Sequence, residues 1–285
     1  MFGKRYDARR VHNIDPFMRI IPYIMKTRTD SQNFFNDDIL CEPLDAYLKQ
    51  KKEEDPSLNY MTLIIAAMVR VIALRPQLNR FVMKNRVYAR KRIWVSFVVH
   101  RSLRGDTAET TIKLAFDGTE SLADVSRIVG AAVQENTEKN SQNNTDSLAK
   151  LIMSIPGPLI RLVVGTIMFM DRHEMLPRAI IEASPFHTSF FITNMKSLGI
   201  NYIYHHVYEF GTTGIFFALG KEKQLPVHDR ANGVVLKKHI PLGVVTDERY
   251  CDGLYFARSM RMLKKYLREP ALLEQRLAHK VEDVD

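Results

Sequence analysis

Apolar positions along this chain recur with two different periods, and the change between them marks its elements. Tyr60–Leu74 (YMTLIIAAMVRVIAL) is apolar almost all round, which predicts a helix buried on every side. Its fifteen residues and its Arg70 argue against a membrane span. Residues 44–52 read as a shorter helix ending in the charged run KKEED, and 122–133 as a further helix. Asp15 followed by Pro16 marks a helix start, with Pro22 keeping that helix short or kinked. Strand-like runs occupy 34–40, 93–100, 189–193 and 212–219, and 109–116 alternates well enough to pair with 93–100. Residues 81–88 read as a hairpin, and 138–146 (EKNSQNNTD) as an exposed loop.

The most informative stretch is 240–270, IPLGVVTDERYCDGLYFARSMRMLKKYLREP. An apolar strand over 240–245 runs into four polar residues, Thr246 to Arg249, at a strand end where folds commonly place chemistry. Asp252 is suited to cap the free N–H groups of the helix that opens at Gly253. Phe256, Met260, Leu263 and Leu267 form its apolar face, Arg258, Arg261, Lys264, Lys265 and Arg268 its polar one, and Pro270 stops it.

The net charge of +9, from 41 basic and 32 acidic residues, allows anionic partners. No finger, basic zipper or aromatic RNA-binding motif accompanies it, so no nucleic-acid partner is expected. Cys41 and Cys251 form no disulfide framework, no metal-ligand spacing is present, and the N-terminus lacks a signal peptide's apolar segment. A reducing, cytoplasmic setting and no metal are the expectations. Arg90, Lys91 and Arg92 read as a solvated strand entry or a site for a coenzyme phosphate.

Asp247, Arg249, Asp252 and Gly253 match the signature D-H-R-x-x-D-G (or H-H-x-x-x-D-G) at a strand-to-helix turn. The chain resembles the chloramphenicol acetyltransferase family and the catalytic domain of the dihydrolipoyl acyltransferases, with Glu248 at the position of the catalytic histidine. The segment 43–88 is similar to the first half of that domain, and Thr193-Asn194 stand where dihydrolipoyl acyltransferases have Ser-Asn. The resemblance implies one α/β domain over 1–285, a mixed β-sheet flanked by helices, assembled as a homotrimer. No lipoyl-bearing segment is expected before it, which points to a stand-alone enzyme.

By the same resemblance, Thr193 inherits stabilisation of the oxyanion, Glu248 the role of general base, and Asp252 an ion pair holding the loop to an N-terminal arginine, Arg19 or Arg28. Asn194, Arg249, Gly253 and His187 are the expected substrate-side residues, His187 also being a candidate to replace the lost imidazole. His205, His206 and His239 lie on or beside apolar strands without metal partners. Cys251 corresponds to a cysteine that packs in relatives. The implied reaction moves an acyl group between a coenzyme A thioester and an unidentified acceptor. A glutamate of ordinary pKa is about two units weaker as a base than histidine, a cost of ~3 kcal/mol that burial can recover. The alternative is a catalytically lapsed trimer that binds or scaffolds.

A hydrophobic helical insertion at about 148–183 sets the chain apart from shorter relatives. Its apolar run 162–170 is far too short to cross a bilayer. Two readings are open: an amphipathic element on a membrane surface or over a greasy substrate, and a helix buried against the domain or a neighbouring subunit.

Overall fold

A computed structural model describes residues 5–100, 109–137, 144–229 and 231–284. In chain order its elements are β1 (Ala8–Arg10), α1 (Pro16–Ile24), β2 (Gln32–Leu40), α2 (Cys41–Lys51), α3 (Tyr60–Leu74), β3 (Arg80–Met83), β4 (Arg86–Arg90), β5 (Ile93–His100) and β6 (Glu109–Phe116). There follow α4 (Leu122–Thr137), α5 (Asn144–Met153), α6 (Gly157–Arg172), α7 (Arg178–Ala183), β7 (Phe190–Asn194), β8 (Ile215–Leu219), β9 (Lys223–Asp229), β10 (Gly233–Asp247) and α8 (Gly253–Arg268).

The main sheet runs β2-β10-β8-β7-β5-β6, with β9 paired to the first half of β10. β7 pairs in parallel with both β5 and β8, while the other neighbours are antiparallel, so the sheet is mixed. β1, β4 and β3 form a separate three-stranded sheet. Helices flank the main sheet: α3 is buried at every residue from Thr62 to Ala73, as its all-round apolar pattern requires. Asn59 caps its first turn. On α8, Phe256, Met260, Leu263 and Leu267 face the core and the basic residues face out.

The opposite face of the sheet is only partly covered. An extended segment from Asn201 to Tyr208 crosses it, with the ring of Tyr202 seated directly on Gly243, where any Cβ would collide with it. Val207 of this segment packs with Phe191, Phe216 and Val245 of the strands in a small cluster. Phe34 and Tyr204 meet edge to face on the same side and remain exposed.

Two expectations need correcting. The expected loop 138–146 gives way to α5 from Asn144 onward, while 138–143 lies outside the described residues. In the chain by itself, α6 is not buried against the domain: Asp171 is its one buried residue. β1, β9 and the first half of β10 were not anticipated. The last two form a projecting hairpin with Val234 and Leu236 exposed, so neither alternation nor burial betrays them.

Candidate active site

The signature turn is built around Asp247, the last residue of β10. Its carboxylate is buried and accepts three side-chain hydrogen bonds, with a second guanidinium in ion-pair range. Arg249 donates through Nε (2.9 Å) and Nη2 (2.7 Å), Ser31 Oγ donates at 3.0 Å, and Arg28 Nε lies 3.5 Å away. Arg28 also donates from Nη1 to the carbonyls of Tyr208 and Gly211. The ion pair expected between Asp252 and an N-terminal arginine is therefore made by Asp247 with Arg28. Asp252 is exposed and spends its carboxylate on the N–H of Tyr255 (2.8 Å), capping α8. Arg19 takes no part in it. Arg249 is buried and committed to Asp247, so it is a structural rather than a substrate-side residue in this chain.

Glu248 sits beyond this anchor in a single 3-10 turn. Its side chain is half-exposed, accepts a hydrogen bond from Asn33 Nδ2, and does not bridge to Arg249. It lines a cavity of about 430 Å³ between β2 and α8, together with Asn33, Phe35, Cys251, Gly253 and Met260. Gly253, the first residue of α8, leaves the mouth of this cavity open. Cys251 is buried, and burial pushes its thiol up to about 12, which suits packing and not nucleophilic attack.

Thr193 lies near the end of β7, buried on the partly covered face of the sheet. Its Oγ1 is 3.1 Å from Nε2 of His205 and 3.4 Å from the carbonyl of Phe217. His205 stacks on Phe216 at 4.5 Å, and burial, with a smaller effect from His206, holds its pKa below the ordinary histidine value. A neutral ring with the proton on Nε2 donates to Thr193 and leaves the threonine's own proton on a long bond, ready to be redirected. Asn194 points to the other face, as alternation requires, where it caps the following 3-10 turn and lines a second cavity beside Tyr60 and Val129.

His187 is not near Thr193's hydroxyl and does not replace the missing imidazole. It is buried, with Nε2 3.0 Å from Asp171 Oδ1 and Nδ1 2.9 Å from Ser184 Oγ. Arg5 joins the same carboxylate at 3.1 Å, and the backbone N–H of Gly211 donates to its second oxygen at 3.3 Å. Burial lowers the pKa of His187 despite Asp171. Arg90 is likewise buried, over the ring of Phe81 and donating to the carbonyls of Thr188 and Thr212; it does not face a coenzyme phosphate. Among the described residues no group of three His, Cys, Asp or Glu could hold a metal.

The strand register separates the two principal candidates. Thr193 is level with Ala218 on β8, and Ala218 with Gly243 on β10. Glu248 follows Gly243 by five positions and lies two strands away from Thr193. That is roughly 15 Å along the strand and ~10 Å across it. One carbonyl cannot touch both within a single chain. His205 and Asn33 are the site residues sequence reasoning missed. The signal for His205 was its two-residue spacing from Val207, which places both over Phe216.

The family model for the 2-oxoacid dehydrogenases acyltransferase (catalytic domain) matches residues 186–274. No curated protein matches the chain. A probable dihydrolipoamide acetyltransferase from Listeria monocytogenes 4b F2365 is similar with a TM-score of 0.57 at 13% identity, over 92% of this chain and 95% of that one. The dihydrolipoamide acetyltransferase of Azotobacter vinelandii, studied for a serine, a histidine and an asparagine of its catalytic mechanism, gives 0.57 at 12% identity, over 92% and 93%. A chloramphenicol acetyltransferase gives 0.53 at 8% identity, over 91% and 99%. At these identities the structural likeness is one of fold. The chain thus has the chloramphenicol acetyltransferase-like fold and, over residues 186–274, the sequence pattern of the 2-oxoacid dehydrogenase acyltransferase catalytic domain.

Proposed function

We propose that the protein is a coenzyme A-dependent acyltransferase whose sites are shared between copies of a homotrimer. The observation that supports this best is the separation of Thr193 from Glu248. Both match signature positions, yet they are too far apart to serve one acyl group unless they come from different copies. A protein of this fold builds the cubic core of the pyruvate dehydrogenase multienzyme complex. Phe34, Ile203 and Tyr204 on the open sheet face, and Phe17, Ile20 and Ile24 on α1, are apolar surface of the kind a neighbouring copy covers.

In this reading the Glu248 carboxylate of one copy takes the proton from the attacking thiol or hydroxyl of the acceptor. The nucleophile adds to the thioester carbonyl, and the Thr193 hydroxyl of the other copy donates to the oxyanion. Collapse breaks the bond to the coenzyme sulfur, and Glu248 returns the proton to the leaving thiolate. His205 orients Thr193, Asp247 anchors the turn, and Asp252 caps the helix behind it. A neighbour closing over the cavity would shield Glu248 and the thioester from water.

A second reading, a trimer that binds or scaffolds without turnover, is favoured by the half-exposed state of Glu248 in the single chain. Isothermal titration with coenzyme A and acetyl-coenzyme A separates the two. No binding to either removes the enzyme reading, and binding without turnover leaves the scaffold. If turnover is present, Glu248→Gln should lower it at least a hundredfold, while Glu248→His should retain or raise it. Unchanged activity in the Gln variant would show that Glu248 is not the base.

A further inference from the structure

The α5–α6 segment carries an apolar surface, and the exposed charge on α6 is of one sign. Leu151 (67%), Met153 (70%), Leu162 (68%) and Phe169 (56%) are exposed large hydrophobics, joined by Leu159. On α6, Leu159, Leu162, Thr166 and Phe169 fall at i, i+3, i+7 and i+10, one stripe down the helix. Arg161 and Arg172 lie eleven residues apart, which returns them to one side of the helix, along the flank of that stripe. Lys150 on α5 is also exposed, while Arg178, beyond α6, is paired with Glu182 at 2.8 Å.

From Ser147 to Arg178 the only carboxylates are Asp171 and Glu174, and neither faces solvent. Asp171 is held by Arg5 and His187, while the Glu174 side chain is buried against Tyr88 and Arg86. α6 therefore offers hydrophobic side chains flanked by Arg161 and Arg172, with no exposed carboxylate of its own.

We propose that α5 and α6 dock on an anionic lipid bilayer, with α6 lying in the plane of the headgroups. Its sixteen residues make it about 24 Å long, short of the ~30 Å hydrocarbon core, and no described helix is long and apolar enough to cross a membrane. Burying the leucine and phenylalanine stripe supplies the apolar contribution. Arg161 and Arg172 reach back to lipid phosphates from its edge. A second copy pairing α6 with α6 is the poorer occupant, because it would set Arg161 and Arg172 against their like with no exposed carboxylate of α6 to neutralise them.

The test is co-sedimentation of the full chain with phosphatidylcholine vesicles, with and without phosphatidylserine. Binding is expected only to the phosphatidylserine vesicles, with release by salt. Leu162→Gln combined with Phe169→Gln should reduce the bound fraction at least tenfold, with the mass in size-exclusion chromatography unchanged. Phe169→Trp supplies a second reading, an emission that moves to the blue with anionic vesicles. Wild-type protein that stays in the supernatant, or a double Gln variant that sediments like wild type, overturns the proposal. A double variant that falls to a smaller oligomer also overturns it, since the stripe would then be an interface between copies. These outcomes do not depend on acyl transfer.

Discussion

Thr193 Oγ1 and His205 Nε2 lie 3.1 Å apart, with the imidazole stacked on Phe216, so the threonine hydroxyl is held by a ring from its own chain. Thr193→Val should lower thioester turnover by roughly a hundredfold or more, the usual loss for an oxyanion donor. His205→Phe keeps the stack and loses the N–H. It should cost roughly tenfold in kcat with KM little changed, the scale of a lost orienting hydrogen bond. His205→Gln should recover most of that, because an amide N–H can take the same place. Equal loss in the Gln and Phe variants would assign His205 a role other than donating to Thr193.

A site shared between copies predicts complementation. Thr193→Val and Glu248→Gln trimers should each be inactive, while trimers refolded from a mixture should regain a measurable fraction of wild-type turnover. The check is single-turnover acyl transfer on the mixture against the two separate preparations. A mixture no better than its components would place both groups in one chain.

Asp247 is the buried centre of the turn, and removing its charge strands Arg28 and Arg249. Asp247→Asn should destabilise the protein by about 3 kcal/mol, the scale for breaking a buried ion pair. Denaturant unfolding measures it. Asp252→Asn preserves a capping oxygen and should be nearly neutral in the same experiment.

His187 gives the pH dependence a sign. Its folded pKa lies below the ordinary value of ~6.5, so the unfolded chain takes up a proton that the folded one refuses. Stability should be full above that value and fall as the pH drops from about 6.5 toward the lower folded pKa. His205, shifted in the same direction, adds to the slope. Asp171, whose pKa is lowered against the opposing effect of burial by the hydrogen bond with His187 and by the Arg5 guanidinium, contributes a further loss at more acidic pH. Thermal unfolding between pH 7.5 and 5 (about one unit either side of ~6.5) should follow this course, with a flatter profile in His187→Asn.

Local physics made much of the fold legible. α3 matched its apolar run end to end, Asp15 and Asp252 capped the helices they were expected to cap, and 93–100 paired with 109–116. The site was harder, because its key relationships are not local. Arg28 reaches Asp247 across 219 positions of chain, and a signature read along the sequence offered Asp252 instead. His205 and His187 are alike in sequence, each set among aromatic residues. Only the path of the 201–208 segment across the sheet shows that His205 is the one that meets Thr193. The exposure of α6 was equally hidden, since a buried helix and a surface-seeking one can share the same leucine-rich composition.

Asp171 stands at the end of α6, yet its oxygens are claimed from the body of the protein. One accepts from Arg5 and His187, the other from the backbone of Gly211. Gly211 in turn gives its carbonyl to Arg28, whose guanidinium rests against Asp247 beneath Glu248. The outermost helix and the innermost turn are thus spliced by a relay of three polar joints. The former is tied to the latter by these polar contacts, and Asp171→Asn would weaken the first of them.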